Sequence, residues 1–212
     1  MSEPSAHSVG NPRWTGVLLL GGSSTRMGQD KLRMRLPDGS RLAERAARGL
    51  AATCGSLLAV RRRATDALVL PGFEEIYDAE PDGGPMAGLI AALECAKTPW
   101  LLLAGGDMPE LDEGFLAAFM ALAERDGHRA LLLGRGRNLE PLPMAIPLAL
   151  AAEVQKRFTQ GERSLQRAIP AARLRVAEPA EFHLQPGKRP WLSLNTPHDW
   201  QAYTGEGVAL PV

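Results

Sequence analysis

The sequence predicts an α/β protein, a three-layer α/β/α sandwich on a mainly parallel sheet. Three observations predict it. Short apolar runs of β type alternate with segments of helical periodicity. Two of those runs, Thr15–Leu20 and Trp100–Ala104, are almost wholly apolar rather than alternating, as strands covered on both faces are. Each is followed at once by glycines and then by charged residues, the composition of ligand-binding loops at strand carboxyl ends.

Taken in order, Thr15–Leu20 reads as the first strand. Ser40–Cys54 is a predicted helix, with Leu42, Ala46, Leu50 and Ala51 on one stripe. Leu57–Val60 and Phe73–Tyr77 read as strands. Met86, Leu89, Ile90 and Leu93 recur at three and four, which predicts a helix from Gly84 to Ala96. Trp100–Ala104 is the next strand, and Asp112–Arg125 a helix with Asp112 as its N-cap. Ala130–Leu133 is again a strand. Beyond Glu140 the pattern loosens. Leu142–Ile146, Arg173–Val176 and Trp191–Leu194 read as strands, Ala149–Phe158, Leu165–Ile169 and Pro197–Tyr203 as helices, and Glu178–Pro190 as loop.

Bulk properties narrow the function classes. Lys plus Arg and Asp plus Glu each number 24 in 212 residues. A formal charge of zero provides no broad basic field for nucleic acid, so an anionic ligand must be met by local charge and backbone dipoles. Cys54 and Cys95 make no C-x-x-C and read as small core thiols, in keeping with a reducing cytoplasm. No apolar run reaches membrane-spanning length. Residues 1–14 lack the apolar centre of a signal peptide and read as a flexible leader, with residues 15–212 a single domain.

Three loops carry the candidate chemistry. After the first strand comes Leu19-Leu20-Gly21-Gly22-Ser23-Ser24-Thr25-Arg26-Met27-Gly28-Gln29-Asp30-Lys31. Paired glycines let backbone N–H groups close on an anion, and Arg26 and Lys31 add two cations suited to a triphosphate. It is neither a Walker A loop nor G-x-G-x-x-G. The bland alternative is a surface turn with solvated charges. Asp78 ends the third strand and precedes Pro81-Asp82-Gly83-Gly84-Pro85-Met86-Ala87-Gly88, where Pro85 suits a first helical turn and Gly88 leaves room for a base or ribose. Asp107, in Gly105-Gly106-Asp107-Met108-Pro109, offers a hard carboxylate to Mg²⁺, which needs few protein ligands. Its alternative, a helix cap, is weakened by Asp112.

The first loop resembles the L-x-G-G-x-x-x-R-M-G-x-D-K signature of molybdenum cofactor guanylyltransferases, the molybdopterin-guanine dinucleotide biosynthesis protein A family. Gly84-Pro85-Met86-Ala87-Gly88 resembles that family's G-P-L-A-G, and Asp107-Met108-Pro109 its D-x-P. Glu140-Pro141-Leu142, Gly161-Glu162-Arg163-Ser164-Leu165 and Ser193-Leu194-Asn195-Thr196-Pro197 are similar to later motifs. Ser193 stands where the last normally has Asn, Leu20 where Ala is usual, and Val60 or an Arg where an Asn contacts the nucleotide.

The resemblance implies a Rossmann-like fold of the nucleotide-diphospho-sugar transferase type. It implies transfer of GMP from GTP to the terminal phosphate of molybdopterin, with Mg²⁺ and release of pyrophosphate. Arg26, Lys31 and Asp107 are then catalytic. Leu19, Leu20, Gly21, Gly22, Lys31, Asp78, Gly84, Gly88 and Asp107 bind nucleotide, and Asp107 holds the metal with Asn195 as candidate second ligand. Arg163 and Asn195 are candidates for the acceptor. Asn195 has a structural alternative, as part of the N-terminal cap of the last helix. The part to about residue 134 binds nucleotide and the remainder builds the acceptor side. Partners would include cofactor delivery proteins and molybdoenzymes, but neither nucleic acid nor membrane. Gly21-Gly22, where cytidylyl members have Ala-Gly, favours GTP. Alternatives are a cytidylyltransferase on the same pterin, a sugar-1-phosphate nucleotidyltransferase, or a non-catalytic nucleotide-binding accessory protein.

Overall fold

The computed structural model describes residues 10–21, 30–62, 68–78, 80, 83–135 and 138–205. Within them the strands are β1 (Asn11–Leu19), β2 (Cys54–Arg61), β3 (Glu74–Tyr77), β4 (Trp100–Gly105), β5 (Ala130–Arg135), β6 (Asn138–Pro147) and β7 (Leu174–Ala177). The helices are α1 (Leu42–Thr53), α2 (Gly84–Cys95), α3 (Glu113–Asp126), α4 (Ala151–Thr159), α5 (Leu165–Ala168) and α6 (Pro197–Thr204). One sheet forms in the order β3-β2-β1-β4-β6-β5-β7. The fold is thus the Rossmann-like α/β sandwich the sequence predicts.

Neighbouring strands are parallel except for the pairs β6 makes with β4 and β5. Only two residues separate β5 from β6, a connection too short for a parallel crossover, so β6 must run antiparallel. The apolar strands are covered on both faces. Trp14 and Leu18 of β1 pack in a core with Leu50 of α1 and Phe119 of α3, while Val17 and Leu19 face Met86 and Leu89 of α2 and Val154 of α4. Asp112 caps α3 as expected, accepting from Phe115 N at 2.8 Å.

Several expectations are corrected. β1 starts at Asn11, because Trp14 is fully buried, stacks on Trp100 at 5.0 Å and donates to Glu124 Oε1 at 2.9 Å. Residues 11–14 therefore belong to the sheet rather than to a leader. Ala51 is exposed on α1, outside its apolar stripe. Cys54 is buried, but Cys95 ends α2 exposed. Trp191–Leu194 joins no strand ladder: Leu192 N turns back to Arg189 O, and Leu194 bonds to the site described next. No described helix is long and apolar enough to cross a membrane.

Strand order positions the site. The chain passes from β1 to β2 and β3 on one side, then returns to place β4 on the other. A sheet whose connections diverge in this way opens a crevice at the carboxyl ends of the two central strands.

Candidate active site

The loops after β1 and β4 meet in that crevice. Gly106 N donates to Leu19 O at 3.0 Å, and Leu20 N to Val60 O at 2.9 Å. Lys31 opens a single 3-10 turn whose cap is Asp30, accepting from Leu32 N at 3.1 Å. The turn aims the lysine inward, where only 9% of its surface stays exposed. Its Nζ donates to Asp107 Oδ2 at 2.6 Å, Asn195 Oδ1 at 2.8 Å and Leu194 O at 3.1 Å. These acceptors among the described residues offset the cost of burying the charge.

Asp107 sits on a turn closed by Met108 N donating to Gly105 O at 3.3 Å. Its backbone carbonyl accepts from Leu194 N at 3.0 Å. Residues 191–195 are therefore a strap across the strand ends, and Leu194 is fully buried. Behind it, Thr196 caps α6, accepting from Asp199 N at 3.1 Å, and Asp199 Oδ2 accepts from Asn195 N and Thr196 N at 3.0 and 2.8 Å. The helix cap therefore uses Asn195 only through its backbone. The Asn195 carboxamide faces Lys31 and accepts from its Nζ.

Two connected clefts run along the rim. One, of about 190 Å³, is lined by Leu20, Lys31, Gly106, Asp107, Leu142 and Asn195 among others. The other, of about 250 Å³, is walled by Val60, Arg62, Asp78, Gly84 and Gly88. Leu19, Gly21 and Pro85 line both, so together they form a trough, with Lys31 and Asp107 at one end and Arg62 and Asp78 beside apolar residues at the other. Gly88 is closely packed, since a Cβ there would lie 3.0 Å from Leu19 Cδ2 and 3.3 Å from Asp78 Oδ1.

Partial burial pushes the Asp78 carboxyl up to about 6, although the positive Arg62 pulls the other way. Folding therefore favours the protonated form. Its stabilising contribution is lost as pH rises from about 4 through 6, and above that the charge is a constant cost. Asp78→Asn should raise stability at pH 7.5 by about 1 kcal/mol, allowing for solvent screening of a half-buried group, with no gain at pH 4. Thermal unfolding at the two pH values checks this. An equal gain at both would remove Asp78 ionisation as the cause.

The structure thus brings together Leu19, Leu20, Gly21, Lys31, Asp78, Gly84, Gly88, Asp107 and Asn195. Gly22 and Arg26 lie outside the described residues. Arg163 lines neither cleft. Its guanidinium donates to Phe158 O at 2.9 Å and Glu80 Oε2 at 3.1 Å and stacks 4.2 Å over the Phe158 ring, tying α4 to the loop after β3. Two residues escaped the sequence reading. Leu142 was recognised only within its motif, yet it lines the charged cleft. Arg62 stands in the run Arg61-Arg62-Arg63, whose composition alone reads as a solvated loop. Arg61 in fact pairs with Glu75 at 2.9 Å, Arg62 lines the second cleft, and Arg63 lies outside the described residues.

The donor set is compatible with a divalent metal. Asp107 and Asn195 offer hard oxygens, but the two converge on Lys31 Nζ, and no group of three or more His, Cys, Asp or Glu side chains suited to a metal exists among the described residues. Mg²⁺ needs few protein ligands, since it keeps water and phosphate in its shell, so a single carboxylate such as Asp107 is a sufficient protein anchor for it.

Comparison with known proteins agrees with this geometry. The profile of the MobA-like NTP transferase domain matches residues 16–176. A probable molybdenum cofactor guanylyltransferase of Chloroflexus aggregans is 33% identical over 201 residues, 90% of this chain and 95% of the relative. The molybdenum cofactor guanylyltransferase of Pseudomonas syringae is 31% identical over 182 residues, 85% and 88% of the two chains. Among solved structures, molybdopterin-guanine dinucleotide biosynthesis protein A of Archaeoglobus fulgidus superposes with a TM-score of 0.73 at 21% identity, covering 90% of this chain and 97% of the other. The 2-C-methyl-D-erythritol 4-phosphate cytidylyltransferase of Thermus thermophilus does so at 0.64 and 17%, covering 89% and 96%. The two structures share the fold. The profile match and the two curated relatives show that the chain belongs to the MobA-like NTP transferase family, and it is a nucleotidyltransferase.

Proposed function

We propose that this enzyme transfers GMP from GTP to the terminal phosphate of molybdopterin, forming molybdopterin guanine dinucleotide in the cytoplasm. The convergence of Lys31 on Asp107 at 2.6 Å, at the charged end of a trough that continues to Asp78, carries the reading. The end that holds Lys31 suits a triphosphate, and the end walled by Leu19, Val60 and Pro85 suits a base. The named relatives support guanine and molybdopterin as the substrates.

An acceptor phosphate oxygen is already a nucleophile, so the protein need not supply one. That oxygen attacks the α-phosphorus, a new P–O bond forms, and the bond to the β-phosphate breaks as pyrophosphate leaves. The chain's work is alignment and charge neutralisation. Lys31 offsets negative charge on the phosphates, and Arg26 is a second cation for the leaving pyrophosphate. Asp107 would hold Mg²⁺, with Asn195 as a second oxygen, and the ion would supply Lewis-acid neutralisation of phosphate oxygens. Residues 191–195 hold Asp107 and Lys31 in register. The product would pass to delivery proteins and molybdoenzymes.

The direct test combines the purified chain, molybdopterin, MgCl₂ and each of GTP, CTP and UTP. Pyrophosphate release and dinucleotide formation are expected with GTP well above the other two. A preference for CTP or UTP would overturn the assignment of the base. Binding without pyrophosphate release would indicate an accessory protein. Asn195→Ala should lower kcat/KM about tenfold, the effect of one hydrogen bond to a charged group. A rate unchanged within twofold would remove Asn195 from the machinery.

A further inference from the structure

The base end of the trough has a charged wall that phosphoryl transfer does not require. Arg61 turns away from it, donating to Leu68 O and pairing with Glu75. Arg62, one residue on, lines the cleft with Asp78, Gly84 and Gly88. Its stem passes close to Gly21, where a Cβ would lie 3.0 Å from Arg62 Cγ. Its charge acts directly on the Asp78 carboxyl. Arg62 and Asp78 thus line one slot together with Leu19, Val60 and Pro85.

Guanine matches that pair. Its O6 and N7 form an acceptor edge, and its N1–H and N2 amine form the adjoining donor edge. Adenine puts an amine donor where O6 would be, opposite the guanidinium. Cytosine does the same with N4, and uracil turns its O2 acceptor toward the carboxylate. We propose that Arg62 is a specificity-determining residue, its planar fork reading O6 and N7 of guanine while Asp78 faces the donor edge. The proposal rests on the GTP reading above. A bidentate arginine on these two atoms is the strongest common guanine contact in recognition of nucleic acid bases, and the geometry transfers to a free nucleotide.

The test compares Kd for GTP, 7-deaza-GTP (which lacks N7), ITP (which lacks the N2 amine) and CTP. The full chain in MgCl₂ is used as wild type, Arg62→Met and Arg62→Lys. Wild type should prefer GTP to 7-deaza-GTP. Arg62→Met should weaken GTP binding about 10- to 100-fold. It should also bring GTP and 7-deaza-GTP to equal affinity while keeping the preference for GTP over ITP. Arg62→Lys keeps the charge but not the fork, so it should recover part of the affinity without recovering the N7 discrimination. It also carries the comparison should Arg62→Met fail to fold. Equal weakening of all four nucleotides in Arg62→Met, or N7 discrimination surviving in either variant, would overturn the role of Arg62. A wild-type preference for CTP would instead overturn the GTP reading itself, so the two failures are distinguishable.

Discussion

Lys31→Ala should reduce the rate of GMP transfer by about 10²–10³, the effect of removing one preorganised charge contact. It should also destabilise the fold. Asp107 keeps only 17% of its side chain exposed, and losing the lysine strands that charge along with the Asn195 and Leu194 acceptors. Breaking a buried pair in this way costs about 3–5 kcal/mol. Two consequences can be separated. Lys31→Met combined with Asp107→Leu removes both charges and should recover much of the stability, since a buried pair is often replaceable by apolar groups. It should recover none of the activity. Thermal melts and pyrophosphate release on both variants decide the matter. A Lys31→Ala protein with wild-type turnover would mean that the lysine only fills space.

Gly105→Ala should cost about 10² in kcat/KM by displacing the Asp107 carboxylate. A Cβ at this position would lie 2.5 Å from Asp107 Oδ1, well inside contact distance. Gly105 is the last residue of β4 and is buried, so the backbone cannot easily yield. The carboxylate must move instead, and it is the group that aligns Lys31. A displacement of about 1 Å in such a constellation is worth about 10² in rate. Gly106→Ala is the control. Its Cβ would meet the ends of Leu20 and Leu32 side chains at 2.9 and 3.1 Å, which can rotate away. Gly106→Ala should therefore be milder than Gly105→Ala, and kinetics showing the reverse order would reject the account of Asp107 as the sensitive group.

Much of this was legible in the chain itself, and the reasons differ from residue to residue. Leu18 and Leu19 could be placed in a strand buried on both faces because successive residues of a strand point to opposite sides, so continuous apolarity needs two cores. The Asp112 cap was readable because a cap is a contact between near neighbours in sequence. Asp107 could be placed at the rim because a carboxylate directly after a buried strand has nowhere else to emerge. Trp191–Leu194 misled for the same kind of reason. Its apolar alternation suits a strand, yet whether a ladder forms depends on a free neighbouring edge, and here the segment finds the Asp107 carbonyl instead.

Local composition and periodicity determined by themselves the alternation of strands and helices, the buried sheet and the three loops with chemical potential, since each depends on residues a few positions apart. Only the tertiary structure decided that Lys31 bonds to Asp107 and Asn195, 76 and 164 positions away, that Arg62 rather than Arg61 faces the cleft, and that Arg163 clamps Glu80. Such pairings are set by the order in which the strands assemble and by the competition among distant partners for the same buried charge. Neither is written in any short stretch of sequence.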